Sequence, residues 1–251
     1  MYNNHNMARR TPLIVANWKM NTTLSDAMVL ATSIRNGLED IHGIEAVLCP
    51  PFPWLVPIAE LFEKARPRHL KLGAQNMFWQ DEGPFTGEVS APMLKHLVSH
   101  VILGHSERVS HFHETEEDTN RKVKSALHHR LKPIICVGER TKGINPGHTV
   151  ITKLKKILDG VGQDRFEELA IAYEPVWAIG SGEPASGGQA ELVAEAIQEE
   201  FGKNPAILYG GSVESKNVLE FLSQPEIDGA LVGGASLSAS AFLKICELAV
   251  P

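Results

Sequence analysis

Leu13-Ile14-Val15-Ala16-Asn17-Trp18-Lys19-Met20-Asn21 is the stretch on which the fold turns. Its first four residues are all apolar, which suits a strand covered on both faces, because a half-exposed strand alternates apolar with polar side chains. The polar residues beyond the run are equally informative. An open doubly wound sheet that binds a nucleotide shows Gly-x-Gly-x-x-Gly after its first strand; here Asn17 to Asn21 stand in that place.

Working outward, runs of the same kind recur at residues 46–49, 70–74, 100–104, 133–137, 169–173, 206–209 and 229–232. Between them lie stretches of helical character, including 25–38, 116–129, 189–201 and 213–222. The runs return roughly every 30 residues, the scale of a βα unit, which forces neighbouring strands to be parallel. An open sheet shares this alternation, but eight units without the glycine fingerprint favour a single-domain (β/α)8 barrel, with parallel strands, over residues 11–251. Residues 1–10 read as a polar N-terminal extension in which Met7 is an alternative start.

The 251 residues carry 24 Lys and Arg against 30 Asp and Glu, a formal charge of −6. That balance argues against a general nucleic-acid binder, which displaces counterions with basic surface. With 43% hydrophobic and 22% charged residues, the chain can build a sizeable core. Cys49, Cys136 and Cys246 have no paired spacing of the zinc or redox kind, so reduced thiols and a cytoplasmic location are expected. The apolar stretch after Arg9 and Arg10 ends at Asn17, too short for a signal-peptide core. No run approaches the ~20 apolar residues of a bilayer span, and no membrane association is expected.

In a parallel barrel, chemistry gathers at the carboxyl ends of the strands, where all the loops that leave them open on one rim. The residues just past the runs are Asn17 and Lys19, Gln75 and Asn76, His105, Ser106 and Glu107, Glu139 and Arg140, Glu174, Gly210 to Ser212, and Gly233 and Gly234. An amine, an imidazole and several carboxylates would therefore converge on one mouth. The glycine-rich turns fall after the last strands, where barrels place phosphate, and Gly211, Gly233 and Gly234 let backbone N–H groups approach an anion. The segment 173–182 joins a carboxylate to an apolar stretch that ends in glycines, a composition suited to a lid that excludes water.

Two other readings fail on spacing. A serine hydrolase needs glycine where Arg108 follows Ser106 and Glu107. His111, His113, His128 and His129 lack matched cysteine or carboxylate partners, so they read as a solvated helix face and no metal is expected.

Several stretches, taken together and in order, resemble the triosephosphate isomerase family. They are Asn17 to Asn21, Gly73 to Asn76, Phe85 to Glu88, Gly104 to Arg108, Cys136 to Glu139, Tyr173 to Gly180, Tyr209 to Ser212 and Gly233 to Ser236. The resemblance implies interconversion of dihydroxyacetone phosphate and glyceraldehyde 3-phosphate through an enediolate, with no cofactor. Glu174 would be the carbon base, His105 the electrophile, and Lys19 and Asn17 the supports of charge. Gly180, Ser212, Gly233 and Gly234 would hold phosphate, and Ser106, Glu107 and Cys136 would support the site from behind the groups that touch substrate. That family is itself the familiar illustration of a glutamate base, a neutral histidine and a closing loop.

The resemblance also implies a homodimer through the 75–88 loop, with Gln75 and Thr86 at the interface. Phe78, Trp79 and Phe85 in that loop suit a partner surface. The chain departs from the family pattern at Val109, at residues 111–114 and at the downstream lid hinge, residues 181–186. An isomerase of a four-carbon ketose phosphate is therefore the alternative enzyme. A non-catalytic phosphate-binding barrel is a third reading, one that predicts ligand binding without exchange of the substrate's carbon-bound proton.

Overall fold

The eight runs form eight strands in a computed structural model that describes residues 10–65, 67–143, 145–178 and 185–251. They are β1 (Leu13–Asn17), β2 (Glu45–Cys49), β3 (Leu70–Ala74), β4 (His100–Leu103), β5 (Lys132–Val137), β6 (Ala170–Tyr173), β7 (Ala206–Tyr209) and β8 (Gly229–Val232). Each pairs in parallel with the next, and β8 returns to β1 with Leu13 opposite Gly229, which closes the barrel. Of the expected extension, only Arg10 falls among the described residues.

Strand side chains alternate between two environments, as the pleat requires. Val15, Val47, Ile134, Cys136 and Leu208 belong to a small buried cluster inside the barrel, whereas Ile14, Ala16, Ala46 and Leu48 join the larger core under the helices. That second core explains why the runs are continuously apolar.

The covering helices are α1 (Leu24–Gly37), α2 (Phe52–Lys64), α3 (Ala91–Leu94), α4 (Ser106–His111), α5 (Glu116–His128), α6 (Pro146–Ile157), α7 (Gly187–Phe201), α8 (Val218–Leu222) and α9 (Ala239–Leu248). Thr115 starts α5 with a reciprocal cap to Asp118, and Ser186 starts α7 in the same way with Gln189. The helix expected over 213–222 is shorter in the structure. The Asn217 side chain accepts the Glu214 N–H at 2.8 Å and donates to the Ser212 carbonyl at 2.9 Å, which holds residues 212–217 in a turn. No helix among the described residues is long and apolar enough to cross a membrane. None of their His, Cys, Asp and Glu side chains forms a group of three that could hold a metal ion.

Candidate active site

At the carboxyl ends of the strands lies a cavity of about 180 Å³. Asn17, Lys19, His105 and Glu174 line one part of it, and Ser212, Gly233 and Gly234 another. Strands β1, β4, β6, β7 and β8 thus deliver the expected groups to one mouth. Gly180 lies outside the described residues, as do all of 179–184.

Lys19 follows β1 with a left-handed backbone, φ 54°. For a side-chain-bearing residue that conformation costs roughly 1–2 kcal/mol. Two amides hold it there: the Lys19 N–H donates to Asn17 Oδ1 at 3.0 Å, and Gln75 Nε2 donates to the Lys19 carbonyl at 2.8 Å. Gln75 Nε2 also reaches the Cys49 carbonyl at 2.8 Å, so its amide ties the loops after β1, β2 and β3 together within one chain. The Lys19 ammonium lies 2.6 Å from Glu107 Oε1.

Glu174 follows β6 and is buried. Its Oε2 accepts the Ser106 N–H at 2.9 Å, and its Oε1 lies 3.0 Å from His105 Nε2. Its backbone packs against β5 so closely that a Cβ on Gly138 would stand 1.6 Å from the Glu174 carbonyl oxygen. Only glycine fits there.

His105 caps α4, and its Nδ1 accepts the Glu107 N–H at 3.2 Å. A nitrogen that accepts carries no proton, so Nε2 is the protonated one and faces the cavity. Burial works to lower the His105 pKa, but its hydrogen bond with Glu174, together with the charges of Glu174 and Glu107, outweighs burial and raises it. Cys136 lies inside the barrel with its thiol pKa pushed well up, first by burial and then by the nearby Glu174 charge. It is a packing group and not a nucleophile.

Two further carboxylates matter, and the sequence alone assigned neither a role. Glu139 is buried, and its Oε1 accepts from the Tyr173 hydroxyl at 2.9 Å and from Trp177 Nε1 at 2.6 Å. It anchors the segment just after Glu174. Its sequence signals are its place after the fifth run and its membership of the stretch Cys136 to Glu139, neither of which states a role.

Glu114 is also buried. It accepts from Arg108 Nε at 2.8 Å and pairs with the buried Lys122, which in turn donates to Asn76 Oδ1 at 2.8 Å. Burial lowers the Lys122 pKa against the opposing pull of Glu114. A lysine on the inner face of α5 was the readable hint.

The 75–88 loop leaves this side of the barrel. Phe78 stacks on Trp79 with centroids 4.1 Å apart and meets Phe85 at 4.6 Å, while Thr86 is exposed. His129 Nε2 and Asp81 Oδ1, 2.8 Å apart, pin the loop to the end of α5.

Fold and mouth together define a (β/α)8-barrel enzyme of the aldose–ketose isomerase class. Residues 12–249 match the family model described as Triosephosphate isomerase. A triosephosphate isomerase of Dehalococcoides mccartyi is 47% identical over 96% of this chain and 97% of its own length. Those of Dictyoglomus turgidum and Caldanaerobacter subterraneus are 46% and 45% identical, each over 94% of this chain and 98% of its own length. The chain belongs to the triosephosphate isomerase family.

Proposed function

We propose that this mouth interconverts dihydroxyacetone phosphate and D-glyceraldehyde 3-phosphate by moving one proton between adjacent carbons. The observation that carries the proposal is the pairing of a buried carboxylate with a protonated imidazole nitrogen, Glu174 Oε1 and His105 Nε2 at 3.0 Å, on one cavity wall. Removing a proton from carbon beside a carbonyl leaves negative charge on the oxygen, so a base must meet the carbon while donors already face the oxygen.

Glu174 takes the proton from C1 of the ketose and returns it to C2 of the enediolate, while His105 Nε2 gives its proton to the C2 oxygen and takes one back from the C1 hydroxyl. To reach carbon, the Glu174 carboxylate leaves the Ser106 N–H. That departure also takes from His105 the main influence raising its pKa, leaving a neutral imidazole as the donor. Nε2–H and the Lys19 ammonium then face the developing oxyanion, with Asn17 bracing Lys19 and Glu107 holding the ammonium in place. Losing one preorganised donor of this kind costs ~2.7–4 kcal/mol of barrier.

Backbone amides of Ser212, Gly233, Gly234 and Gly180 are assigned the phosphate, a non-reacting group whose binding positions the reacting carbons. Segment 175–186 is assigned as the lid, with Glu139 gripping its base through Trp177. The reaction as written needs no metal or organic cofactor.

The protein is assigned as a homodimer in which the 75–88 loop enters the partner's mouth through Thr86. Gln75, at the foot of that loop, braces it from within its own chain. Residues 11–251 are assigned as one catalytic domain and 1–10 as an appended polar segment. Three buried thiols suit a cytoplasmic enzyme.

The test is an isomerase assay on three-carbon and four-carbon ketose phosphates in D2O. Turnover of the triose phosphate with deuterium entering at carbon supports the proposal. Preference for the four-carbon substrate overturns the substrate assignment, and tight binding without deuterium exchange overturns catalysis. A monomeric sedimentation result at micromolar concentration overturns the dimer.

A further inference from the structure

Glu214 lines the same cavity as Ser212, Gly233 and Gly234, which puts a carboxylate at the end of the mouth assigned to a dianion. It does not stand alone: Lys216 Nζ lies 2.7 Å from Glu214 Oε2. Both side chains face solvent, 55% exposed for Glu214 and 78% for Lys216.

The backbone that carries them is fixed. Asn217 holds both the Glu214 N–H and the Ser212 carbonyl, and the Val218 N–H closes on the Glu214 carbonyl at 3.0 Å. Glu214 is two residues from Ser212, a span of at most ~7 Å, and its carboxylate holds the Lys216 ammonium on that rim. The Lys19 ammonium stands at the same end, where a Cβ on Gly233 would meet its Nζ at 3.6 Å, and Glu107 engages it. Lys216 is therefore a second cation near the phosphate end, held at 2.7 Å by a carboxylate that lines the cavity.

We propose that the Glu214–Lys216 pair sets how strongly the mouth draws the phosphate dianion, Lys216 acting as the capturing charge and Glu214 as its holder and counterweight. The proposal rests on the isomerase reading of the mouth and adds to it a determinant of substrate affinity. A unit charge about 10 Å from a dianion in water changes binding about threefold when the Debye length is ~30 Å, and far less when it is ~4 Å. The pair therefore acts on capture and not on the chemical step.

The experiment uses the full chain with Lys216→Met, Glu214→Gln and the double substitution. Two quantities are read: KM for the triose phosphate, and Kd for inorganic phosphate by 31P NMR, which needs no turnover. At about 10 mM ionic strength, Lys216→Met raises both about threefold, Glu214→Gln lowers both about threefold, and the double variant returns close to the parent. kcat stays within about twofold, as expected when uniform binding alone is altered. At about 0.5 M salt the differences fall below about 1.3-fold.

Shifts of the same sign, shifts that persist in high salt, or no shift in phosphate Kd overturn the proposal. Absence of turnover in the parent chain would overturn the isomerase reading instead, and the phosphate titration would still decide the role of the pair.

Discussion

His100 opens β4 and His105 stands two residues past its end, and they are almost equally buried, at 3% and 7% exposure. Their chemistry is opposite. At the barrel floor, burial lowers the His100 pKa to about 3, and the charges of Lys132 and Lys71 push the same way. Its contact with Glu45 Oε1 at 3.4 Å is therefore that of a neutral ring against a carboxylate, not an ion pair. At the mouth, the hydrogen bond and charge of Glu174 raise the His105 pKa despite burial. Depth alone does not decide whether an imidazole can take a proton; the signs of its neighbours do. The two ends of a (β/α)8 barrel are thus two electrostatic environments built on one set of strands.

The largest expected effect concerns how the mouth side keeps buried charge. The floor lets its histidine go neutral, whereas Lys122 is buried with Glu114 as its partner. Lys122→Met leaves that carboxylate with Arg108 as its remaining charged partner and should cost about 3 kcal/mol in urea unfolding, the low end of the usual penalty for breaking a buried pair from one side.

Next comes catalysis. Glu174→Asp withdraws the carboxylate by one methylene and should lower kcat roughly 10²-fold or more, since misplacement of about 1 Å costs that much. His105→Gln should lose about 10²–10³-fold, whereas His100→Gln should keep kcat within about twofold. Equal losses at both histidines would erase the contrast between the two ends.

Titration is a smaller effect. In Glu174→Gln, the NMR-observed titration of His105 should move to lower pH than in the parent. A raised native pKa means that the stability contributed by His105 is in place below the unfolded value near 6.5 and is lost as pH rises through the native value. His100 has the opposite sign. Between pH 6.5 and about 3 the unfolded chain binds a proton that the native chain refuses, so stability falls on acidification, and His100→Gln should lack that component in urea titrations.

The smallest effect compares strained backbone at the two ends. Arg130, in the turn that leads into the floor end of β5, has φ 62°, close to the 54° of Lys19 at the mouth. Arg130→Gly should stabilise the protein by about 0.5–1 kcal/mol in thermal unfolding, because relief of strain exceeds the added freedom of the unfolded chain. Lys19→Gly would relieve the same strain and remove the ammonium.

The barrel was legible because buried parallel strands announce themselves. Run 70–74 coincides with β3, run 206–209 with β7 and run 229–232 with β8, and the others agree to within a residue at either end. Polar residues just past those runs led directly to Asn17, Lys19, His105 and Glu174, since chain order alone places them on one rim. The roles of Glu139 and Glu114 were not legible. Tyr173 and Trp177 lie 34 and 38 positions from Glu139, and such meetings arise from barrel closure and not from local pattern. Helix 213–222 was misjudged for a related reason: one asparagine side chain redirects two backbone groups.

The burial of Cys49, Cys136 and Cys246 has its own consequence. Burial raises all three thiols above their ordinary range, so the nucleophilic thiolate is suppressed at neutral pH and no cysteine sulfur is presented to peroxide or to an alkylating label. Labelling must then wait for the barrel to open. Iodoacetamide uptake becomes a clock for that opening, and oxidant damage to this protein should begin elsewhere, at exposed Met20 and Met93.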